Sequence, residues 1–217
     1  MTLTATIPAD LDVTVEEYKR LRPIMTKLHS ELSRLIKKDD LFAGAKRLRM
    51  LSKQNGKKVI LFEHEFEMDV FQDYQIYMHR PHDISTVQQM LNHNRHPEGG
   101  DERRLLEGMG KARFSVFNVK QIIKGAGFIG VDIQTGDEFF IMDMTLPHQD
   151  VVGLLIGFRI FPFNGYWMHT GANLTLGRAP DMAGFKPLGK IEDVKGERNL
   201  NETMIFRWRS LVSEIDD

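Results

Sequence analysis

The chain has 217 residues, of which 41% are hydrophobic and 27% charged, a composition typical of a globular domain with a sizeable core. It contains no cysteine, which excludes disulfides, a thiolate nucleophile and any zinc site built on cysteine. It has no run of about 18 apolar residues, and its N-terminus lacks the basic and apolar regions of a secretory signal. We therefore expect a cytoplasmic protein without a membrane-spanning helix.

The formal net charge of −1 conceals two segments of opposite sign. Residues 19–58 contain thirteen Lys and Arg against three acidic residues, a net charge of +10. Residues 59–74 contain five acidic residues and no Lys or Arg. Segregated charge of this kind indicates either a surface for a charged partner or mutual neutralisation inside the chain.

The first predicted helix begins near Thr14, which forms a capping-box pattern with Glu17. Apolar residues then recur every three or four positions as far as Ile36, as on one face of a helix. Pro23 falls inside this pattern, so the helix should be kinked or split there.

The second predicted helix is capped by Asp39 or Asp40 and stops at Asn55-Gly56. With the first helix it would form an antiparallel basic helical hairpin. Clustered Lys and Arg on helices are typical of surfaces that contact phosphates. The residues that we consider candidates for binding nucleic acid or a protein partner are Lys37, Lys38, Lys46, Arg47, Arg49, Lys53, Lys57 and Lys58.

Residues 59–76 fit two different periods. Phe62, Phe66 and Val70 have helical spacing, yet Phe62 and Phe66 also alternate with acidic residues as in a strand. We favour a helix because the run is long and lacks turn dipeptides. Two shorter helices should follow, one capped by Ser85 and one by Asp101.

From residue 111 the helical rhythm gives way to short apolar runs separated by turn dipeptides, of which Asn164-Gly165 is the strongest hairpin signal. Five or six such strands indicate a small antiparallel β barrel or roll. We predict an α+β fold in three parts: a helical region at residues 1–110, the barrel at 111–178, and a linker with a docked C-terminal helix at 179–217. Asn201 is expected to cap that last helix.

Gly125, Gly127 and Gly130 match the GxGxxG pattern of dinucleotide-binding proteins. In such a fold a helix must open at the second glycine. Here alternating β-branched residues follow instead and reach a Thr-Gly turn within a few positions. The glycines therefore favour a β turn over a nucleotide site.

A repeated H-x2-H pattern is the candidate metal site, formed by His79, His82, His93 and His96. Imidazole is a common metal ligand, and Asp83 or Glu65 could complete the shell of a divalent ion. The alternative is a set of ordinary solvated histidines, because the second pair lies in a polar loop and Pro81 interrupts the first.

The acidic stretch around His64 is the other candidate for chemistry. On a helix, Glu63 and Glu67 would be neighbours at i and i+4, as would Glu65 and Asp69. A carboxylate cluster with a histidine could do acid–base work or hold a cation. The alternatives are a solvated acidic face and a face that packs near the basic segment. No nucleophile motif or P-loop is present, so catalytic residues remain unassigned.

Residues 101–176 resemble a group of uncharacterised bacterial proteins in which a helix precedes a small β module. The resemblance rests on ERRLLEG followed by ARFSVFNV, on DIQTGDE at residues 132–138 and on QDVV at residues 149–152. Some members carry a cysteine-rich SEC-C zinc tail, which this chain lacks because it has no cysteine. The resemblance implies the β module but no activity.

Together these features predict a non-enzymatic binding module that contacts nucleic acid or an acidic protein through the basic segment. The rival hypothesis is a metal-dependent enzyme that uses the histidines and the acidic stretch. We expect no membrane partner, and a homodimer is a further candidate assembly.

Overall fold

A computed structural model describes residues 2–146, 150–179 and 186–213 of the chain. The chain forms two compact units: a barrel unit, Met1–Arg22 with Lys111–Asp217, and a helical unit, Pro23–Gly110. The α-helices are α1 (Leu11–Leu35), α2 (Lys38–Arg47), α3 (Glu67–Tyr77), α4 (Thr86–His93), α5 (Asp101–Met109) and α6 (Val194–Ser213). The strands are β1 (Leu51–Gln54), β2 (Lys57–Ile60), β3 (Arg113–Ile123), β4 (Gly127–Asp132), β5 (Glu138–Met142), β6 (Leu154–Phe163) and β7 (Tyr166–Arg178). The predicted α+β class is confirmed.

Five strands surround the core of the barrel unit in the order β3-β4-β5-β7-β6. Four of the five neighbouring pairs are antiparallel, whereas β5 and β7 are parallel and share only two residue pairs. The prediction of a small barrel or roll is confirmed, but its purely antiparallel character is wrong at this pair. Strand directions cannot alternate all the way round a ring with an odd number of members, so one parallel pair is unavoidable.

The barrel core consists of large apolar side chains from all five strands, with Phe117, Phe128, Ile141 and Ile156 almost fully buried. The glycine motif belongs to this packing and not to a nucleotide site. Its first member lies in the turn between β3 and β4 with φ +75°, and the other two lie in β4. A Cβ added at the second would collide with the carbonyl oxygen of Ile141.

A buried ion pair joins the C-terminal helix to the barrel. Arg159 of β6 is fully buried, and its Nη1 donates to Glu197 Oε1 of α6 at 2.5 Å. The same carboxylate oxygen accepts from the backbone N–H of Phe114 at 2.8 Å. The predicted docking of a C-terminal helix is confirmed, although α6 begins at Val194. Asn201 is therefore an interior residue whose Oδ1 accepts from Arg159 at 3.4 Å, not a cap.

Helix α1 begins earlier than predicted and continues through Pro23 as one helix. Thr14 lies inside its first turn, where the hydroxyl donates to Asp10 O, so it is not the cap. Helix α2 begins after Lys37, and its N-cap residue makes no side-chain capping bond. The prediction that Asp39 or Asp40 caps α2 is therefore wrong, since both lie in its first turn.

The second half of the predicted basic helix is a β hairpin. Strands β1 and β2 pair antiparallel around Asn55 and Gly56, whose φ angles of +49° and +76° fit a type I′ turn. The sequence Asn-Gly thus turns a hairpin here and does not end a helix. Residues 59–76 contain both of the predicted alternatives, strand and helix. Strand β2 ends at Ile60, and α3 begins only at Glu67.

Two shorter helices follow α3 in the helical unit. Ser85 caps α4 as predicted, its Oγ accepting from Gln88 N at 3.2 Å. Asp101 is the first residue of α5, and Gly100 stands at the cap position, so that predicted cap is wrong. Within the ranges that the structure describes, no helix is both long and apolar enough to cross a membrane.

Replacing Glu197 with Ala should lower the free energy of unfolding by about 3–5 kcal/mol, because Arg159 would keep a buried charge without its counter-ion. Urea denaturation followed by circular dichroism measures the loss. Glu192→Ala is the matched control: this exposed glutamate precedes the same helix, and its removal should change stability by less than about 0.5 kcal/mol. Equal effects of the two changes would show that the buried pair does not hold α6.

Candidate functional sites

The eight basic residues proposed from the sequence are all exposed. They form what we call the basic surface: Lys37, Lys38, Lys46, Arg47, Arg49, Lys53, Lys57 and Lys58. Five of them lie on or beside α2, as predicted. The other three lie on β1 and β2, so their predicted helical position is wrong. The Asn55-Gly56 turn is the sequence signal for that hairpin.

Phe42 of α2 lies beside two lysines of this surface. The Nζ atoms of Lys38 and Lys58 lie 5.7 and 5.8 Å from the centroid of its ring. Lys53 faces Lys58 directly across the hairpin. Lysines from two elements, α2 and β2, therefore lie near one aromatic side chain, and each ring contact is worth about 0.5–1 kcal/mol at an exposed site.

Direct neutralisation by the acidic segment does not occur at the lysines of the basic surface. Within the described ranges, Lys37, Lys38, Lys46, Lys53, Lys57 and Lys58 form no ion pair. Arg47 differs from them, since its Nε donates to the hydroxyl of Tyr74 at 3.1 Å. Like charges directly opposite on two strands are destabilising by some tenths of a kcal/mol, so the Lys53–Lys58 pair has an electrostatic cost.

The acidic stretch is used differently from the prediction. Glu67 is fully buried at the start of α3, and its Oε2 accepts from the backbone N–H of Glu63 at 3.0 Å. The expected helical neighbours Glu63 and Glu67 are therefore not on one helix, because α3 begins at the second of them. His64 stacks on Phe66, with ring centroids 5.2 Å apart. This geometry is that of a helix start and not of a catalytic carboxylate pair.

The predicted metal-binding histidines contact different carboxylates. His79 Nε2 lies 3.6 Å from Asp40 Oδ1, and His96 Nε2 lies 3.5 Å from Glu31 Oε2. His93 is the exposed last residue of α4. The side chain of His82 lies outside what the structure describes. Among the described residues no group of three His, Asp or Glu side chains is arranged to hold a metal ion, and the four-histidine site stays a prediction.

A buried histidine–carboxylate pair that the sequence did not reveal lies in the barrel unit. His169 Nε2 of β7 and Asp143 Oδ2, just after β5, are 3.0 Å apart. The other oxygen of Asp143 accepts from the backbone N–H groups of Thr145 and Leu146 at 2.6 and 3.0 Å. The two residues are 26 positions apart and belong to strands joined through the parallel pairing, so no local motif could have indicated their contact.

The surroundings of this pair shift the pKa values of two groups, Asp143 and Tyr18. Burial raises the pKa of Asp143, but the hydrogen bond and charge of His169 and the two backbone N–H groups outweigh it, lowering that pKa to about 2. Burial also raises the pKa of Tyr18 on α1; Arg22 acts against this shift and Asp143 adds to it. Arg22 Nη1 in turn donates to the backbone oxygen of His169 at 3.2 Å. The cluster thus fastens the first turns of α1 to the barrel strands.

A pocket of about 350 Å³ lies beside β3 and β5 in the same unit, with Phe139, Trp167, Arg113 and Gln134 among its lining residues. Beneath it Asp132 is fully buried. This carboxylate accepts from Arg113 Nη1 and Ser115 Oγ, both at 2.6 Å, and from the backbone N–H of Gln134 at 2.8 Å. Because these bonds already satisfy the carboxylate, its role is structural.

Replacing Asp143 with Asn should lower stability by about 2 kcal/mol near neutral pH, because the folded state favours the ionised carboxylate. Its folded pKa of about 2 is below the unfolded value of about 3.9, so this contribution is present above pH 4 and is lost as the pH falls towards 2. Urea titrations at several pH values should show that the difference in free energy of unfolding between native protein and variant becomes smaller as the pH falls through that range.

Asp12→Asn, which removes an exposed carboxylate from the first turn of α1, should leave the same pH profile unchanged and serves as the control. A gap between native protein and Asp143→Asn that stays constant from pH 5 to pH 2 would contradict the assigned role of the His169 contact.

Comparison with known proteins gives one family. Neither the curated proteins nor the solved structures provide a match. A family model described as "Family of unknown function (DUF7986)" matches residues 12–181. The match includes α1, the basic surface and the barrel strands and extends over more than half of the 217 residues. The chain therefore belongs to this family of unknown function.

Proposed function

We propose that the protein is a non-enzymatic binding module whose basic surface contacts nucleic acid. The observation that carries the proposal is the set of six exposed lysines that have no ion pair within the described ranges. A lysine close to other lysines gains little electrostatic stabilisation within the folded protein. Its contact with a phosphate backbone releases condensed counter-ions, and this release favours binding. An acidic protein is the other partner class, and the test below separates the two.

The shape of the basic surface supports a backbone contact over base readout. Lysines behave as point charges on flexible stems and meet phosphates without fixed geometry. The aromatic residue beside these lysines, Phe42, is half-buried, so the basic surface lacks the exposed stacking platform that is typical of single-strand binders. Binding should therefore be strongly dependent on salt and weakly dependent on sequence.

Two wider expectations accompany this proposal. Cytoplasmic location is supported by the absence of cysteine from the sequence. The resemblance of residues 101–176 to uncharacterised bacterial proteins with a small β module is also kept as a proposal, and it transfers no activity. A metal-dependent enzyme is not carried forward, because no observation on the described residues favours it.

The triple variant Lys38→Ala, Lys53→Ala and Lys58→Ala should bind mixed-sequence RNA or DNA oligonucleotides at least about tenfold more weakly at low ionic strength, because it removes three of the six exposed lysines of the basic surface that have no ion pair within the described ranges. The slope of log affinity against log salt should also become shallower by about 2–3. Fluorescence anisotropy measures both quantities, and circular dichroism confirms that the variant folds.

The matched control changes Lys111, Lys124 and Lys195 to Ala, because these exposed lysines of the barrel unit carry the same total charge. It should bind like the native protein. Absence of binding by the native protein at low ionic strength would overturn the proposal, as would equal weakening by both triple variants. Preferential binding of poly-glutamate would assign the basic surface to an acidic protein instead.

Homodimer formation is a separate prediction, supported by four exposed apolar side chains within eight residues: Leu61, Phe62, Phe66 and Met68. Exposed apolar clusters of this kind are typical of association surfaces. Size-exclusion chromatography with light scattering should give a dimer mass that Phe66→Ser with Met68→Ser reduces towards 25.0 kDa. A native protein of monomer mass at high concentration would refute it.

A further inference from the structure

A second pocket, of about 290 Å³, lies within the helical unit. We call it the interhelical pocket. Its walls come from the end of α1, the start of α2, the end of α3, the short 3-10 helix Pro81–Asp83 and the start of α4. Five chain segments thus converge on a space large enough for a small organic molecule.

Gln75 gives this pocket an unsatisfied acceptor. The residue lies on α3, is 1% exposed and lines the pocket. Its Nε2 donates to the backbone oxygen of Leu41 at 3.2 Å, whereas its Oε1 has no hydrogen-bond partner among the described residues. Leaving a buried polar atom unpaired is unfavourable, so a ligand that donates a hydrogen bond here would recover the lost free energy.

Gly44 of α2 fixes the position of this amide. A Cβ at residue 44 would collide with the Gln75 side-chain amide, so the absence of a side chain there lets the amide lie against α2. The amide is therefore held in place by both its hydrogen bond and its packing. A preorganised acceptor of this kind is typical of a ligand site, because binding does not have to order it first.

Several other groups of the pocket also accept hydrogen bonds or carry negative charge, although Lys37 lines it as well. Asp40 and Asp39 line it from the first turn of α2. Asp40 Oδ1 lies 3.6 Å from His79 Nε2, which brings the imidazole to the same wall. Leu35 and Ile36 line the pocket at the end of α1, where backbone carbonyls lack helical partners and the helix dipole is negative.

An anion fits the interhelical pocket less well than a cation. The starts of α2 and α4 also line it, as does Lys37. However, Asp39 and Asp40 already complement the dipole of α2, and the hydroxyl of Ser85 caps α4. Two carboxylates and an unpaired amide oxygen would repel a phosphate or a carboxylate ligand, so the charge balance favours a donor-rich cation.

The remaining walls are aliphatic, formed by Leu35, Ile36, Pro81 and Ile84. We propose that the interhelical pocket binds a small organic cation, an amino or guanidino group on a short aliphatic body, whose N–H groups donate to Gln75 Oε1 and to the Asp40 carboxylate. The aliphatic body lies against the apolar wall. The site shares Lys37 with the basic surface, but its proposed ligand does not depend on whether that surface binds nucleic acid.

Agmatine, which carries both a guanidino and an amino group, and putrescine are the probes for this site. Titration into 15N-labelled full-length protein should move the side-chain amide resonances of Gln75 and the backbone resonances of Thr86 and Gln89 in a saturable way. Isothermal titration calorimetry gives the affinity. Inorganic phosphate and Zn²⁺, each added alone, should leave these resonances in place.

Asp40→Asn keeps the size of the side chain and should weaken agmatine at least about tenfold, because it removes the counter-charge. Gln75→Leu is the second variant and should have a similar effect. Asp69→Asn is the control, because it removes an exposed carboxylate of α3 that does not line the pocket. Thermal melts confirm that each variant folds.

Three results would overturn the proposal. The first is the absence of saturable shifts with either cation. The second is a stronger response to phosphate or to Zn²⁺ than to the organic cations. The third is unchanged agmatine affinity in Asp40→Asn and in Gln75→Leu. None of these results bears on whether the lysines bind nucleic acid, so failure of this site and failure of the proposed function are distinguishable.

Discussion

The barrel unit depends on one buried charge. Arg159 is fully enclosed, and an arginine remains ionised at any ordinary pH, so its charge must be balanced inside the protein. The balance comes from Glu197 on the last helix, which also accepts the backbone N–H of Phe114 on β3. One carboxylate thus serves two strands of the barrel, and the C-terminal helix is part of the same folding unit as the sheet.

Much of this fold could be predicted from residue patterns, and the failures have physical reasons. The positions of β3 to β7 follow from alternating apolar residues and from the Asn164-Gly165 turn. The helical prediction for β1 and β2 is wrong because so short a segment fits both periods, and because the Asn-Gly pair can end a helix as well as turn a hairpin. The predicted cap at Asn201 is wrong because the partner of this side chain, Arg159, is 42 residues away and leaves no local pattern.

The candidate sites, like the fold, could be predicted only in part from the sequence. Exposure of the basic residues could be predicted, since Lys and Arg are rarely buried. The approach of Lys38 and Lys58 to Phe42 could not, because it depends on the packing of α2 against the hairpin. No sequence pattern indicates the His169–Asp143 pair or the unpaired oxygen of Gln75. Both arise from long-range packing, in which one residue's environment is set by elements far along the chain.

The single parallel pairing has a consequence for the motions of the barrel. Strands β5 and β7 share two residue pairs, at Ile141 with Trp167 and Met142 with Met168, whereas β6 and β7 share eight. Backbone amides along this seam are held by far fewer cooperative contacts than those elsewhere in the ring. Sub-global opening of the barrel should therefore begin at the seam and leave an open sheet in the order β5-β4-β3-β6-β7, so that hydrogen exchange is fastest along the facing edges of β5 and β7.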